Sequence, residues 1–329
     1  MELFVPTLNQ MIYLFALIAI GFVLVKCKVM PDNSATVLSK LANTVLTPAL
    51  VMSTFIKECT VEKISLLWPY LIVSILLAAI LIPLSLFTAK LCFKGDFERK
   101  IAAYGLGFSN FGFMGYTIVR AIFPEIELEY TVFTLPFWCT IYAWAVPTLL
   151  IPREHSEGKP TFAARIKPFI NPMMIGLLIG LALGLLGGNT WLPAPIKNVV
   201  FVAGDCMSPI AMLLTGMTIG KINVWHLLKK WRLYVVTAVR LLVYPMLFLG
   251  VLWLLSLLPQ NEILSVFINP TFFKCAMCMV AMPMGLTSIV VPAAYGKDTS
   301  DAAGMALFTH LFSVGTIPLM FTLLQLLVL

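Results

Sequence analysis

Uncharged stretches of membrane-spanning length recur along this chain, and no other feature constrains its fold as much. A helix needs about 20 apolar residues to cross roughly 30 Å of hydrocarbon. Eight runs qualify: residues 3–25, 64–89, 101–119, 130–152, 168–196, 241–261, 275–296 and 302–329. Two more segments carry one charge each, 33–56 with Lys40 and 195–220 with Asp205. Hydrophobic residues make up 60% of the 329, charged ones 11%, and mean hydropathy is +0.97, which places the chain outside the soluble class. The expectation is an all-α integral membrane protein of ten transmembrane helices. The first run starts after Glu2 rather than a basic region and has no small-residue cleavage site, so it is expected to stay as a helix.

The net charge of +7 would suit a nucleic-acid partner, but the basic residues follow membrane topology and no nucleic acid is expected. Lys26, Lys28, Lys90, Lys94, Arg99, Lys100, Arg153, Lys159, Arg165, Lys167, Lys221, Lys229, Lys230, Arg232 and Lys297 fall on one face. Lys57, Lys63, Arg120, Lys197 and Lys274 fall on the other. Fifteen against five puts the first face in the cytoplasm and both termini outside a cell (inner) membrane. Glu125, Glu127 and Glu129 then belong to an external loop.

The longest polar connection, 153–167, separates five spans from five, giving halves at 1–160 and 161–329. Halves with an odd number of spans point in opposite directions, and a duplicated unit of that kind makes an inverted repeat. "LTPALVM" at 46–52 is echoed by "MSPIAML" at 207–213, in the second span of each half. The fourth span of each half loses regular character midway, at "GFSNFGFMG" (107–115) and "AMPMGLTS" (281–288). Glycine costs about 1 kcal/mol inside a helix and proline about 3, so both spans are expected to break there. Backbone stripped of helical hydrogen bonds cannot face lipid, so the breaks should cross in the interior, where helix ends offer amides to an anion.

At these residues the chain resembles the auxin efflux carrier family, which includes the plant PIN carriers and bacterial permeases of malonate- and malate-like acids. The resemblance spans nearly the whole length through "NTVLTPAL" (43–50), "SNFGFMGYT" (109–117), "SPIAMLLTGMTIG" (208–220), "AMPMGLTSIVVPAAYGKD" (281–298) and "HLFSVGTIPL" (310–319). It implies a PIN-like, bile-acid-symporter-like fold in which spans one, two, six and seven form a scaffold and the other six a moving transport domain. It also implies elevator-type alternating access and a homodimer. Asn110 stands at the family's substrate-contacting position and Pro283 at the second crossover. Ser109 and Thr117 stand where PIN carriers have prolines, so the fourth span is expected to break through its glycines or less sharply.

The candidates for binding substrate are Asn110, Ser109, Gly112, Pro283, Gly285, Thr287, Ser288 and Asn43. Asn110 either donates to a carboxylate or satisfies freed carbonyls at the crossing. Ser109, Thr287 and Ser288 either line the pocket or bond back to their own helices. Asp205, Lys40, Arg240 and His310 are coupling or gating candidates, because ionisable groups inside a membrane are costly. Lys40 lies near its helix end and is read as snorkelling to the interface. Asp205 is a switch or the partner of a buried cation. Arg240 pairs with an anionic substrate or with lipid phosphate, and His310 relays protons or packs as a hydrogen-bonded core residue. Seven cysteines, including the pair Cys275 and Cys278, are read as core packing, and no metal or other cofactor is expected beyond coupling to protons or sodium.

The leading function is secondary or facilitative transport of a small organic anion such as malate, malonate, lactate or an auxin-like acid. A channel or membrane sensor using the same cavity is the alternative. The chain lacks a Walker motif, a His-Glu-x-x-His zinc signature and a Gly-x-Ser-x-Gly elbow, and its histidines, His155, His226 and His310, lie far apart, so no enzyme is expected.

Overall fold

A computed structural model describes residues 3–31, 33–151, 171–221, 227–258 and 262–328. The central connection at 153–167, with its four basic residues, and His155 and His226 lie outside the described residues. The chain is all-helical there, without a β-strand. Its elements are α1 (Phe4–Lys26), α2 (Ser34–Glu58), α3 (Val61–Cys92), α4 (Asp96–Gly107), α5 (Phe111–Ile122) and α6 (Pro124–Leu150). After the central segment come α7 (Pro172–Leu185), α8 (Ala194–Gly220), α9 (Trp231–Ser256), α10 (Pro270–Val280), α11 (Thr287–Ala294) and α12 (Ser300–Leu327). Among the described residues seven are long and apolar enough to cross a membrane: α1, α2, α3, α6, α8, α9 and α12.

Local chemistry sets the helix starts. Asn171 and Asn269 each accept from the amide three residues on, at 3.1 and 2.9 Å, and each is followed by a proline, which costs nothing at the first helical position. The long uncharged runs overshoot or undershoot where they ignore this grammar. The run 168–196 ends early, at Leu185, because Gly187 takes a left-handed conformation (φ 71°) and turns the chain. The run 241–261 starts late, because α9 begins at Trp231 and carries Arg240 inside it. In α8 the helix is interrupted at Cys206, three residues before Pro209, whose ring would clash with the carbonyl of Asp205.

Small residues bring helices into close contact, as apolar packing in a bilayer requires. Along α7, Gly176, Gly180 and Gly184 repeat every fourth residue against α2, where added Cβ atoms would stand 2.7 Å from Pro48 O, 2.7 Å from Met52 Cα and 2.4 Å from Phe55 O. Gly21 of α1 and Gly216 of α8 face each other's helices in the same way.

Candidate functional site

Helical structure breaks between α4 and α5, at Phe108, Ser109 and Asn110, and again between α10 and α11, at residues 281–286. The two breaks meet. Asn110 N donates to Pro283 O at 2.7 Å and Gly285 N donates to Phe108 O at 3.3 Å, pairing Ser109 with Met284 in an antiparallel bridge. Other freed groups find side chains. Arg240 Nε, Nη1 and Nη2 donate to the carbonyls of Met282 (3.0 Å), Leu106 (2.9 Å) and Met279 (3.3 Å). Ser109 Oγ donates to Met279 O at 2.7 Å, Tyr130 Oη to Phe111 O at 3.0 Å, and Met284 N to Thr309 Oγ1 at 3.3 Å. These bonds satisfy backbone that lipid could not.

The N-terminal ends of α5 and α11 emerge from this crossing, and a cavity of about 310 Å³ lies against both. Its polar wall includes Ser39, Asn43, Thr44, Ser109, Asn110, Asn171 and Thr287; its apolar wall includes the aromatic rings of Tyr104, Trp138 and Tyr142. None of the described lining residues carries a formal charge. The first amides of a helix have no partner inside it, so Gly112 and Phe113, or Leu286 and Thr287, lie where amides are free for an anion. Trp138 Nε1 is a further buried donor without a partner among the described residues. Gly112 is required by close approach, since a Cβ there would lie 2.4 Å from the Trp138 ring.

From the crossing the cavity extends toward Val146, Asn171 and Val291, at the end of α6, the start of α7 and within α11. In the other direction α5 closes against α8. Thr117 and Ser208 share a hydrogen bond between their hydroxyls, and one turn further Arg120 Nη1 meets Asp205 Oδ1 at 2.9 Å. Arg120 also holds Glu127 Oε1, from Nε at 2.8 Å and Nη2 at 2.7 Å, and Thr54 Oγ1 donates to the same oxygen at 2.7 Å. This clasp joins α2, α5, α6 and α8.

Residues 6–321 match the family described as membrane transport protein, the auxin efflux carrier family. The chain belongs to that family. A search of curated proteins returns no match to this transporter.

Of the eight residues expected to bind substrate, the transporter brings six to one cavity: Asn43, Ser109, Asn110, Gly112, Gly285 and Thr287. Pro283 and Ser288 are not among its lining residues; Pro283 gives its carbonyl to Asn110, and Ser288 Oγ returns to Gly285 O at 2.7 Å. Arg240 meets neither lipid phosphate nor the cavity. It is 1% exposed and committed to three carbonyls, because unwinding two helices leaves acceptors that five fixed donors can serve. Asp205 is not buried, its side chain being 62% exposed, and its partner is Arg120. Glu127 and Arg120, expected in or beside an external loop, sit on helices, with Glu127 only 12% exposed. Lys40 is exposed on α2 and is not among the cavity's lining residues. His310 lies behind Asn110 rather than in the cavity wall. Cys275 and Cys278 are buried on α10. Sequence reasoning missed Tyr104, Trp138, Tyr142 and Asn171, whose only signal would have been helical spacing onto the break, Tyr104 and Asn110 being six residues apart.

Proposed function

We propose that this transporter is a secondary carrier of a small organic anion that works by alternating access. The observation that carries the reading is the convergence of two helix N-termini on one uncharged cavity at the crossing. Ten spans form two inverted halves of five, with α1, α2, α7 and α8 as scaffold and the remaining helices as the moving body. The packing supports this: in such a repeat spans one and two correspond to six and seven, so a contact of one with seven calls for a mate between six and two. The glycine contacts of α1 with α8 and of α7 with α2 are such a pair. The fifteen-to-five bias of basic residues supports a cytoplasmic opening of the cavity in a cell (inner) membrane, both termini outside. The carrier forms a homodimer.

An anion suits the site because Arg240, though it does not line the cavity, places a buried positive charge beneath the crossing with no carboxylate partner among the described residues. The neutral lining and the aromatic wall favour one carboxylate joined to an apolar body over two carboxylates. The driving force is the substrate gradient, a coupled ion or the membrane potential, worth about 2.3 kcal/mol per charge per 100 mV.

Purified protein reconstituted in vesicles tests the reading with radiolabelled lactate, indole-3-acetate, malate and malonate. Saturable uptake with counterflow, stronger for the first two acids, is the expected result. Asn110→Ala should raise KM at least tenfold while the protein stays inserted, as befits loss of a hydrogen bond to a charged group. Unsaturable flux would make the cavity a pore, binding without counterflow would make it a sensor, and unchanged kinetics in the variant would remove Asn110 from the site.

A further inference from the structure

His310 sits on α12 with both ring nitrogens engaged: Nδ1 is 2.8 Å from Ala306 O, and Nε2 is 3.1 Å from Asn110 Nδ2. A carbonyl can only accept, so the proton of the neutral ring resides on Nδ1 and Nε2 is an acceptor. That fixes the Asn110 amide as well. Its NH2 turns back to His310, and its Oδ1, without a hydrogen bond among the described residues, is left on the cavity side. An amide oxygen is the wrong end to offer a carboxylate.

We infer that protonation of His310 reverses the Asn110 amide, turning its NH2 into the cavity, and so couples entry of one proton to binding of one anion. Asn110 is the hinge of this exchange because its side chain bonds the imidazole and also lines the cavity. The inference rests on the anion site proposed above. With Nε2–H formed, the ring can donate only to Asn110 Oδ1, and rotation of the amide leaves two N–H donors where the carboxylate arrives. The ring does not line the cavity, so the proton passes from cavity water to Nε2 while the Asn110 side chain swings aside, and it leaves with the anion on the far side.

Among the described residues no fixed ionic partner holds the ring. Of the helices packed against α12, α9 brings Arg240 and Tyr244 to buried positions, α4 brings Tyr104, and α10 brings Cys275 and Cys278; α1, α8 and α11 bring no ionisable group to one. At the base of α5 the buried ionisable group is Tyr116, turned toward Thr134 Oγ1 at 3.4 Å. Only Arg240 among these is charged at neutral pH, and its positive charge opposes a second one at His310 while the cavity is empty. A bound anion removes that opposition. By reciprocity the proton strengthens anion binding by the same factor.

The test uses the full chain in vesicles containing a pH-sensitive dye, with radiolabelled lactate or indole-3-acetate as probe between about pH 6 and 8, where both acids stay ionised. Wild-type affinity is expected to rise as pH falls, by up to about tenfold per unit where the ring titrates, with one proton entering per anion. His310→Gln keeps an amide oxygen to accept from Asn110 but cannot be protonated; its affinity should change less than twofold over that range and its transport should carry no proton. A pH-independent wild type, or a variant that retains the wild-type slope, overturns the inference. Should His310→Gln fail to fold, the wild-type proton-to-anion ratio alone decides, and a ratio of zero overturns it. Uptake that depends on Asn110 but not on pH would sink this coupling and leave the anion site standing; the absence of uptake of any acid at any pH would sink the site itself.

Discussion

Two arginines sit on the same broken framework and are used in opposite ways. Arg240 is fully buried under the crossing and gives its donors to three backbone carbonyls, while Arg120, further along α5 from the crossing, gives its donors to two carboxylates and stays one-fifth exposed. The first arrangement replaces helical hydrogen bonds that the breaks have removed, and all of its acceptors belong to the crossing itself. The second joins α5 and α6 to α8, and through Glu127 to Thr54 of α2, so it is a contact that relative movement of these helices must break. Buried backbone repair and a partly wet ion-pair clasp therefore differ both in what their loss costs and in what it changes.

The largest effect is expected at the crossing. Arg240→Leu leaves the carbonyls of Leu106 and Met282 short of a donor, while Met279 O keeps Ser109 Oγ, and an unsatisfied buried polar group costs about 1–3 kcal/mol. A total loss of about 3 kcal/mol or more should appear as failure to accumulate, or as a strongly lowered Tm in detergent followed by tryptophan fluorescence. Arg240→Lys should recover only part of it, because one compact ammonium cannot reach three acceptors held in the guanidinium's fork geometry. A wild-type Tm in Arg240→Leu would mean that the carbonyls do not need this donor, and the contrast with the clasp would disappear.

Arg120→Gln comes next. It strands Glu127, 12% exposed, with the Thr54 hydroxyl and no cation, at a cost of about 1–3 kcal/mol. Neutralising Glu127 in the same chain should return part of that loss, and a double-mutant cycle in detergent should give a coupling of roughly 1 kcal/mol. Additive effects would show that the two residues do not act as a pair. The same substitution should increase access to the cavity from the Asp205 side, read as the labelling rate of a cysteine placed at Thr117; an unchanged rate would leave the clasp with a structural role alone.

These pairs also mark what sequence could and could not disclose. The breaks are legible because Gly107, Ser109, Asn110 and Gly112 in one span, and Pro283 and Gly285 in the other, are poor helix formers gathered at one depth. The unwinding nonetheless falls at Phe108 to Asn110, ahead of Gly112 and Gly115, because the partner break supplies acceptors and donors at that level. Arg240 read as a partner for an anionic substrate or for lipid phosphate because depth along a helix says nothing about which face it occupies. Arg120 and Asp205 are 85 residues apart and Asn110 and His310 are 200 apart, so neither contact has a local signature. The aromatic wall was invisible for the reverse reason: aromatic residues make up 12% of the chain, and only position separates Tyr104, Trp138 and Tyr142 from the rest.

Asp205→Asn should have the smallest effect on stability and gives the sharpest test of the contrast. The carboxylate is 62% exposed, and an ion pair at such a site is worth no more than about 1 kcal/mol. Asparagine keeps an oxygen that accepts from Arg120, so the substitution removes charge and little else. The resulting shift in Tm should be small at low ionic strength and vanish in about 1 M salt, where the screening length falls to roughly 3 Å. The corresponding shift for Arg120→Gln should survive that salt, since it arises from stranding Glu127 at a site that water barely reaches. Equal salt dependence of the two shifts would mean that Asp205 and Glu127 share one environment, and the clasp would then be a surface network with no buried anchor. A large, salt-resistant loss in Asp205→Asn would instead return Asp205 to the interior and make it the principal partner of Arg120.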